Sequence, residues 1–189
     1  MPAAVDNAVN GLVATPLESL LVLRAAMYRD LGANAAALLQ EAGYAGGPVI
    51  FDAFERWLQE QGRPAAGDLS ATDFPVTLTE FLNATGWGSV NLTHIGPAVA
   101  ALDTEDWAEG DANRPLEFPG CYFTAGLLAD FMGRVAGAEV AVMEVECRSV
   151  GSARCRFLVA SAEVIQQLYD AMAAGQPYEE VVASVVPAV

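Results

Sequence analysis

The sequence predicts an α+β fold, a small antiparallel sheet made of two hairpins and covered by helices. Three observations carry that prediction. Up to Leu82 the large apolar residues recur at three- and four-residue spacing, the period of a helix with one buried face. After Gly86 the period shortens to two, as in a half-buried strand. Between Glu139 and Ala160, two strand-like runs flank Gly151, a residue suited to a hairpin tip.

The elements follow in order. Thr15-Pro16-Leu17-Glu18 reads as a capping box with proline at the first helical position, opening a largely buried helix through Leu20, Leu21, Leu23 and Ala25 to about Arg29. A second helix from Ala33 carries Ala37, Leu38 and Glu41 and stops at Gly43, which can take a left-handed cap. Gly46-Gly47-Pro48 then reads as a turn opening a third helix, with Phe51, Phe54, Trp57 and Leu58 on one face. The stretch from Gly62 to Ser70 is a surface loop. Thr77-Leu78-Thr79-Glu80 is a second capping box, and its helix ends near Gly86.

Val90, Leu92 and His94 alternate with Asn91, Thr93 and Ile95, and Val99 to Leu102 follows Gly96-Pro97, so two antiparallel strands are expected. Asp103 to Pro119 is acidic and loop-like, with Trp107, Leu116 and Phe118 as its large apolar residues. Pro119-Gly120 opens a helix from about Cys121 to Val135, ended by Gly137. Glu139 to Cys147 and Ala153 to Ala160 are strands. Ser161 caps the next helix, and a last short one follows Pro177. The expected organisation is one domain over 1–189, with a helical front at 15–85 and the strands, metal site and C-terminal helices at 86–186.

Composition narrows the function. The 189 residues are 53% hydrophobic and 17% charged, with mean hydropathy +0.31, which excludes a disordered chain. Acids outnumber bases 24 to 9, for a net charge of −15. Such a surface repels nucleic acid and anionic membrane, so neither is expected as a partner. No apolar run reaches the roughly 18 residues of a spanning helix. Met1 to Thr15 lacks the basic and apolar regions of a secretory signal, and the cytoplasm is the expected compartment. There is no glycine-rich phosphate loop and no G-x-S-x-G element, and the one histidine has no evident nucleophile or orienting acid. Catalysis is therefore not the leading expectation.

The three cysteines, Cys121, Cys147 and Cys155, are too few for a disulfide framework. A hairpin centred on Gly151 sets Cys147 opposite Cys155, Glu146 opposite Arg156 and Val145 opposite Phe157. Both thiols then share a face, at a separation two sulfurs on one tetrahedral zinc can span. Cys121 sits at a helix N-terminus, where the dipole favours thiolate. Glu144, three residues before Cys147, falls on the other face of a regular strand, so joining the same metal requires a bulge. Glu146 and His94 are the alternative fourth ligands. Phe54, Trp57, Trp87, Val140 and Val142, with His94 as a polar handle, are candidates to line an apolar pocket.

Cys121, Phe131-Met132-Gly133-Arg134, Glu144-Val145-Glu146-Cys147, Gly151 and Cys155-Arg156-Phe157 together form a pattern that resembles the 4-vinyl reductase domain. That module occurs in phenol- and xylene-sensing activators and in a bacteriochlorophyll-synthesis accessory protein. The resemblance implies zinc held by Cys121, Glu144, Cys147 and Cys155. It also implies a ligand-binding module and a homodimer formed through the helical front. A thiolate-rich ligand set of this kind is usually closed and structural, and the leading expectation is an apolar or aromatic small molecule whose occupancy a protein partner reads. The aromatic sensors also carry an ATPase and a DNA-binding domain, which this sequence lacks, so a whole activator is not expected. Neither His94 nor Trp107 is assigned to the histidine and tryptophan of the sensors' pocket. The alternative reading is a tetrapyrrole-handling accessory protein or vinyl reductase.

Overall fold

The computed structural model describes residues 12–185 of the chain. The readings made at Met1–Gly11 and at 186–189 lie outside the described residues. Helices α1 (Leu17–Leu31), α2 (Asn34–Glu60) and α3 (Asp73–Ala84) lead into strands β1 (Asn91–His94) and β2 (Ala100–Thr104). Then come α4 (Tyr122–Ala136), β3 (Ala141–Glu146), β4 (Cys155–Ala160), α5 (Ala162–Ala173) and α6 (Tyr178–Ser184). The two expected hairpins join edge to edge through β2 and β4 into one antiparallel four-stranded sheet, ordered β1-β2-β4-β3. The fold is the mixed α+β type that the sequence predicts.

Both faces of the sheet are covered, because strand alternation sends neighbouring side chains to opposite sides. Leu102, Val142, Phe157 and Val159 face a large core with Phe54, Trp57 and Leu58 of α2, Phe81 of α3 and Leu128 and Phe131 of α4. Ala101, Met143 and Leu158 face a second core formed with Val164 and Leu168 of α5 and Tyr178, Val181 and Val182 of α6.

The helical front departs from expectation at its glycines. Helix α2 runs unbroken for 27 residues through Gly43, Gly46, Gly47 and Pro48, where the sequence suggested a stop and a new start. These residues mark a close helix crossing. A Cβ on Gly43 would lie 1.9 Å from the carbonyl oxygen of Phe123, and one on Gly126 of α4 would lie 1.9 Å from that of Gln40. The two backbones touch through glycine, and the buried α2–α4 interface outweighs the helix-breaking tendency of Gly and Pro.

Two capping boxes are also absent. Helix α1 begins after Pro16 with no side-chain cap, and Glu18 pairs with Arg114 instead. Thr77 lies inside α3, where its hydroxyl accepts from Arg63 at 3.0 Å, and Ser70 receives the Asp73 N–H at 3.1 Å. Nor is α1 largely buried. Only Leu21 and Arg24 are, whereas Leu17, Val22, Leu23 and Leu31 are exposed. No helix among the described residues is long and apolar enough to cross a membrane.

Candidate metal centre

Each ligand candidate is delivered by a different local device. Cys121 is the N-cap residue of α4. Cys147 follows the end of β3 and opens a 3-10 turn at Arg148–Val150, closed by Gly151 in the left-handed region at φ 91°. Cys155 begins β4, where it pairs with Thr104 of β2. The hairpin ladder therefore stops short of the expected Cys147–Cys155 pair. Glu146 does oppose Arg156, as the centring on Gly151 requires, but Phe157 opposes Glu144 rather than Val145. The register slips between Glu144 and Glu146, leaving Val145 as the extra residue of a bulge. Glu144 and Cys147 are thereby turned to the same face.

The four groups converge. One ligand atom from each of Cys121, Glu144, Cys147 and Cys155 lies within 4.8 Å of the others. The Cys121 sulfur is 3.8 Å from that of Cys147 and 4.0 Å from that of Cys155, and all three cysteines are buried. Sulfurs bound at about 2.3 Å to one tetrahedral zinc stand about 3.8 Å apart. Glu144 accepts the Cys121 N–H through Oε2 at 2.8 Å, while its buried Oε1 has no partner. An orphaned carboxylate oxygen beside three sulfurs is a donor set that fits a soft divalent cation.

Electrostatics point the same way. Burial, and then the neighbouring Cys147, push the Glu144 carboxyl up to about 8. The Cys147 thiol is held far below the ordinary thiol range because the Cys121 and Cys155 thiols donate to it. Cys121 is raised because it donates to those same sulfurs and is buried. In so enclosed a space the groups resist carrying more than one negative charge between them, a resistance that a bound divalent ion would offset.

The other candidates are placed less uniformly. His94 is exposed on β1, at the end of the sheet order opposite β3, so the structure brings it neither to the cysteines nor into the core. Glu146 points away from the cluster, to the α5–α6 side, where it binds Arg154 through two bonds of 2.9 and 3.0 Å. Phe54, Trp57 and Val142 are buried in the larger core, with Trp87 and Val140 at its margin. The Trp57 ring lies against Phe54 and Phe81 and under Arg63, and its buried indole N–H has no acceptor.

Two features escaped the sequence. The acidic loop after β2 buries Glu109 completely. Its Oε2 accepts the N–H and hydroxyl of Thr124 at 2.8 and 2.6 Å, capping α4 from a distance, and its backbone carbonyl accepts from the buried Arg24 of α1. Trp107 donates to the same Thr124 hydroxyl at 2.7 Å. Gly110 approaches the cysteine–glutamate cluster so closely that a Cβ there would lie 2.5 Å from the Cys155 sulfur. An isolated acid and an isolated glycine in a loop carry no periodic signal, so only the packed structure exposes them.

Comparisons with known proteins agree with this geometry. The family model of the 4-vinyl reductase domain matches residues 109–161, the segment that contains all four clustered residues. No curated protein matches the chain. Among solved structures, the phenol-responsive sensory domain of the transcription activator PoxR with phenol aligns at TM-score 0.63 and 19% identity, over 87% of this chain and 84% of that one. A vinyl-4-reductase family protein from Methanocaldococcus jannaschii aligns at 0.50 and 16%, over 78% and 82%. A trafficking protein particle complex subunit 3 from Naegleria fowleri, covalently bound to palmitic acid, aligns at 0.56 and 16%, over 76% and 89%. At these identities the likeness is one of fold. The segment that carries the cysteine–glutamate cluster is thus the part of the chain that is similar to the 4-vinyl reductase domain.

Proposed function

We propose that the chain is a small-molecule-binding domain, a sensor or carrier without catalysis of its own, in which zinc staples α4 to the β3–β4 hairpin around an apolar or aromatic ligand. The observation that carries the zinc reading is the sulfur spacing of 3.8 and 4.0 Å beside the orphaned Glu144 oxygen. Cys121, Glu144, Cys147 and Cys155 would hold the ion. With four protein ligands, zinc serves as a structural cross-link with no open position for chemistry. The residues themselves position the ion: Cys121 from a helix tip, Glu144 through the bulge, and Cys147 and Cys155 from the two ends of a turn.

The ligand reading rests on the aromatic core. Trp57 offers a buried, unpaired donor among Phe54, Phe81 and Phe131, which suits a small aromatic bearing one acceptor oxygen. The phenol named with the PoxR sensory domain is such a molecule. The exposed Leu17, Val22, Leu23 and Leu31 of α1 are the surface on which a homodimer or a protein partner would close.

Atomic absorption on protein purified from its own host tests the metal. One zinc per chain is expected, and its loss in Cys147→Ser should lower thermal stability. Zinc content unchanged in that variant removes the site. Calorimetric titration with phenol tests the pocket. Saturable binding that Val142→Trp abolishes without unfolding supports it, and full binding in that variant excludes Val142. A co-purifying pigment absorbance would favour the tetrapyrrole reading instead.

A further inference from the structure

The bulge in β3 is the hinge of the candidate metal site. In a regular strand, with Val145 paired instead of bulged out, Glu144 and Cys147 would fall on opposite faces. A bulge places two consecutive residues on one side, and here Val145 and Glu146 both face the α5–α6 layer. What they meet there is a five-residue network. Glu146 accepts two bonds from one guanidinium edge of Arg154, through Nε and Nη2, and accepts the Tyr178 hydroxyl from α6. Arg156 of β4 donates to that hydroxyl at 2.9 Å and holds Asp103 of β2 through two bonds of 2.6 and 2.7 Å. Arg154 closes on Asp103 at 3.4 Å. Three strands and the last described helix are thus tied together directly behind Glu144.

We propose that this Asp103–Arg154–Arg156–Glu146–Tyr178 network is a positioning device for the metal site: by anchoring Glu146 on the far face, it holds the bulge that aims Glu144 at the three cysteines, and it couples the seating of α6 to the metal. A bulge leaves local pairing disrupted, so a strand edge such as β3 can relax to regular register if nothing retains the extra residue. Relaxation flips Glu144 out of the site while the cysteines stay. Two bidentate arginine–carboxylate pairs sharing one tyrosine hydroxyl supply directional contacts that a slipped register cannot satisfy. Coupling between two sites is reciprocal, so whatever factor α6 contributes to metal affinity, the metal returns to α6.

The inference rests on the metal reading of the cluster. The test uses the full chain loaded with cobalt(II), whose d–d spectrum reports the donor set, with Glu144→Ala as the reference for a site lacking its carboxylate. Tyr178→Phe removes one hydroxyl and keeps the ring, and Glu146→Gln keeps the shape and removes the charge. In both variants the cobalt spectrum should move toward that of Glu144→Ala. Affinity should fall about tenfold by chelator competition, the lower end of what partners outside the ligand set contribute. Hydrogen exchange in α6 should speed up in wild-type protein stripped of metal. A normal cobalt spectrum and affinity in both variants, with only a lower melting temperature, would show that the network merely fastens α6 to the sheet. A wild-type chain that takes up no cobalt or zinc would overturn the metal reading itself, and this inference with it.

Discussion

Glycine does opposite work at the α2–α4 crossing and at the ends of the later elements. At the α2–α4 crossing, Gly43 and Gly126 are places where two backbones meet and no side chain fits. In the C-terminal half, Gly137 and Gly151 hold positive φ, at 62° and 91°, with open space around them, and end a helix and a turn. The first role depends on what a partner helix does far along the chain, the second on the local backbone alone. This is why a local reading of glycine as punctuation succeeds at Gly86, Gly137 and Gly151 and fails within α2.

Substitutions can break that contrast or sharpen it. Gly43→Ala or Gly126→Ala drives a methyl into a carbonyl oxygen that cannot retreat without separating α2 from α4, and should lower stability by about 3 kcal/mol or more. A urea midpoint within error of wild type would refute the close crossing. Gly110→Ala strikes the cysteine–glutamate cluster proposed to hold zinc instead of a helix pair, because its new Cβ meets the Cys155 sulfur. Zinc affinity measured against a chelator should drop at least about tenfold, the scale of perturbing a group next to the ligands. Gly151→Ala forces a side chain into the left-handed region with nothing to clash against, and about 1–2 kcal/mol of destabilisation is expected.

Two smaller effects complete the series. Burial lifts the Glu109 carboxyl above the ordinary carboxylate range, against the opposing pull of its Thr124 hydrogen bonds and Arg24. The folded protein then binds that proton more tightly than the unfolded chain. Stability must fall as pH rises from the usual carboxylate range through the elevated value. Glu109→Gln should flatten that slope, and an unchanged pH profile of melting temperature would contradict the assignment. Gly46→Ala is the mildest. Its Cβ would make an ordinary 3.7 Å contact with Leu127, and removing a helix-interior glycine should raise stability by about 0.5–1 kcal/mol. Destabilisation at Gly46 would mean that the whole glycine stretch, and not only Gly43 and Gly47, lies against α4.

The candidate site was legible to an unusual degree because its spacing is short. Glu144, Cys147 and Cys155 occupy one hairpin, and strand alternation alone shows that Glu144 needs a bulge to join the cysteines. The bulge is present. Tyr178, which donates to Glu146 beside the bulge, lies 32 residues further on, and nothing in the local pattern announces that contact. His94 misled for the complementary reason: alternation along β1 shows which residues share a face, but not that β1 ends the sheet order, where His94 is left in solvent.

The amino-acid order by itself determined the α+β class, the two hairpins, α4 with its glycine stop, the Ser161 cap and the four residues that form the cluster, because each depends on periodicity or on interactions within a few positions. Tertiary structure decided that α2 runs through four residues that usually end helices, that Thr15 and Thr77 cap nothing, that α1 turns apolar side chains outward, and that a loop acid is buried beneath α4. Those outcomes turn on contacts between segments remote in the chain, whose burial energy exceeds the fraction of a kilocalorie to few kilocalories per residue that local propensity supplies.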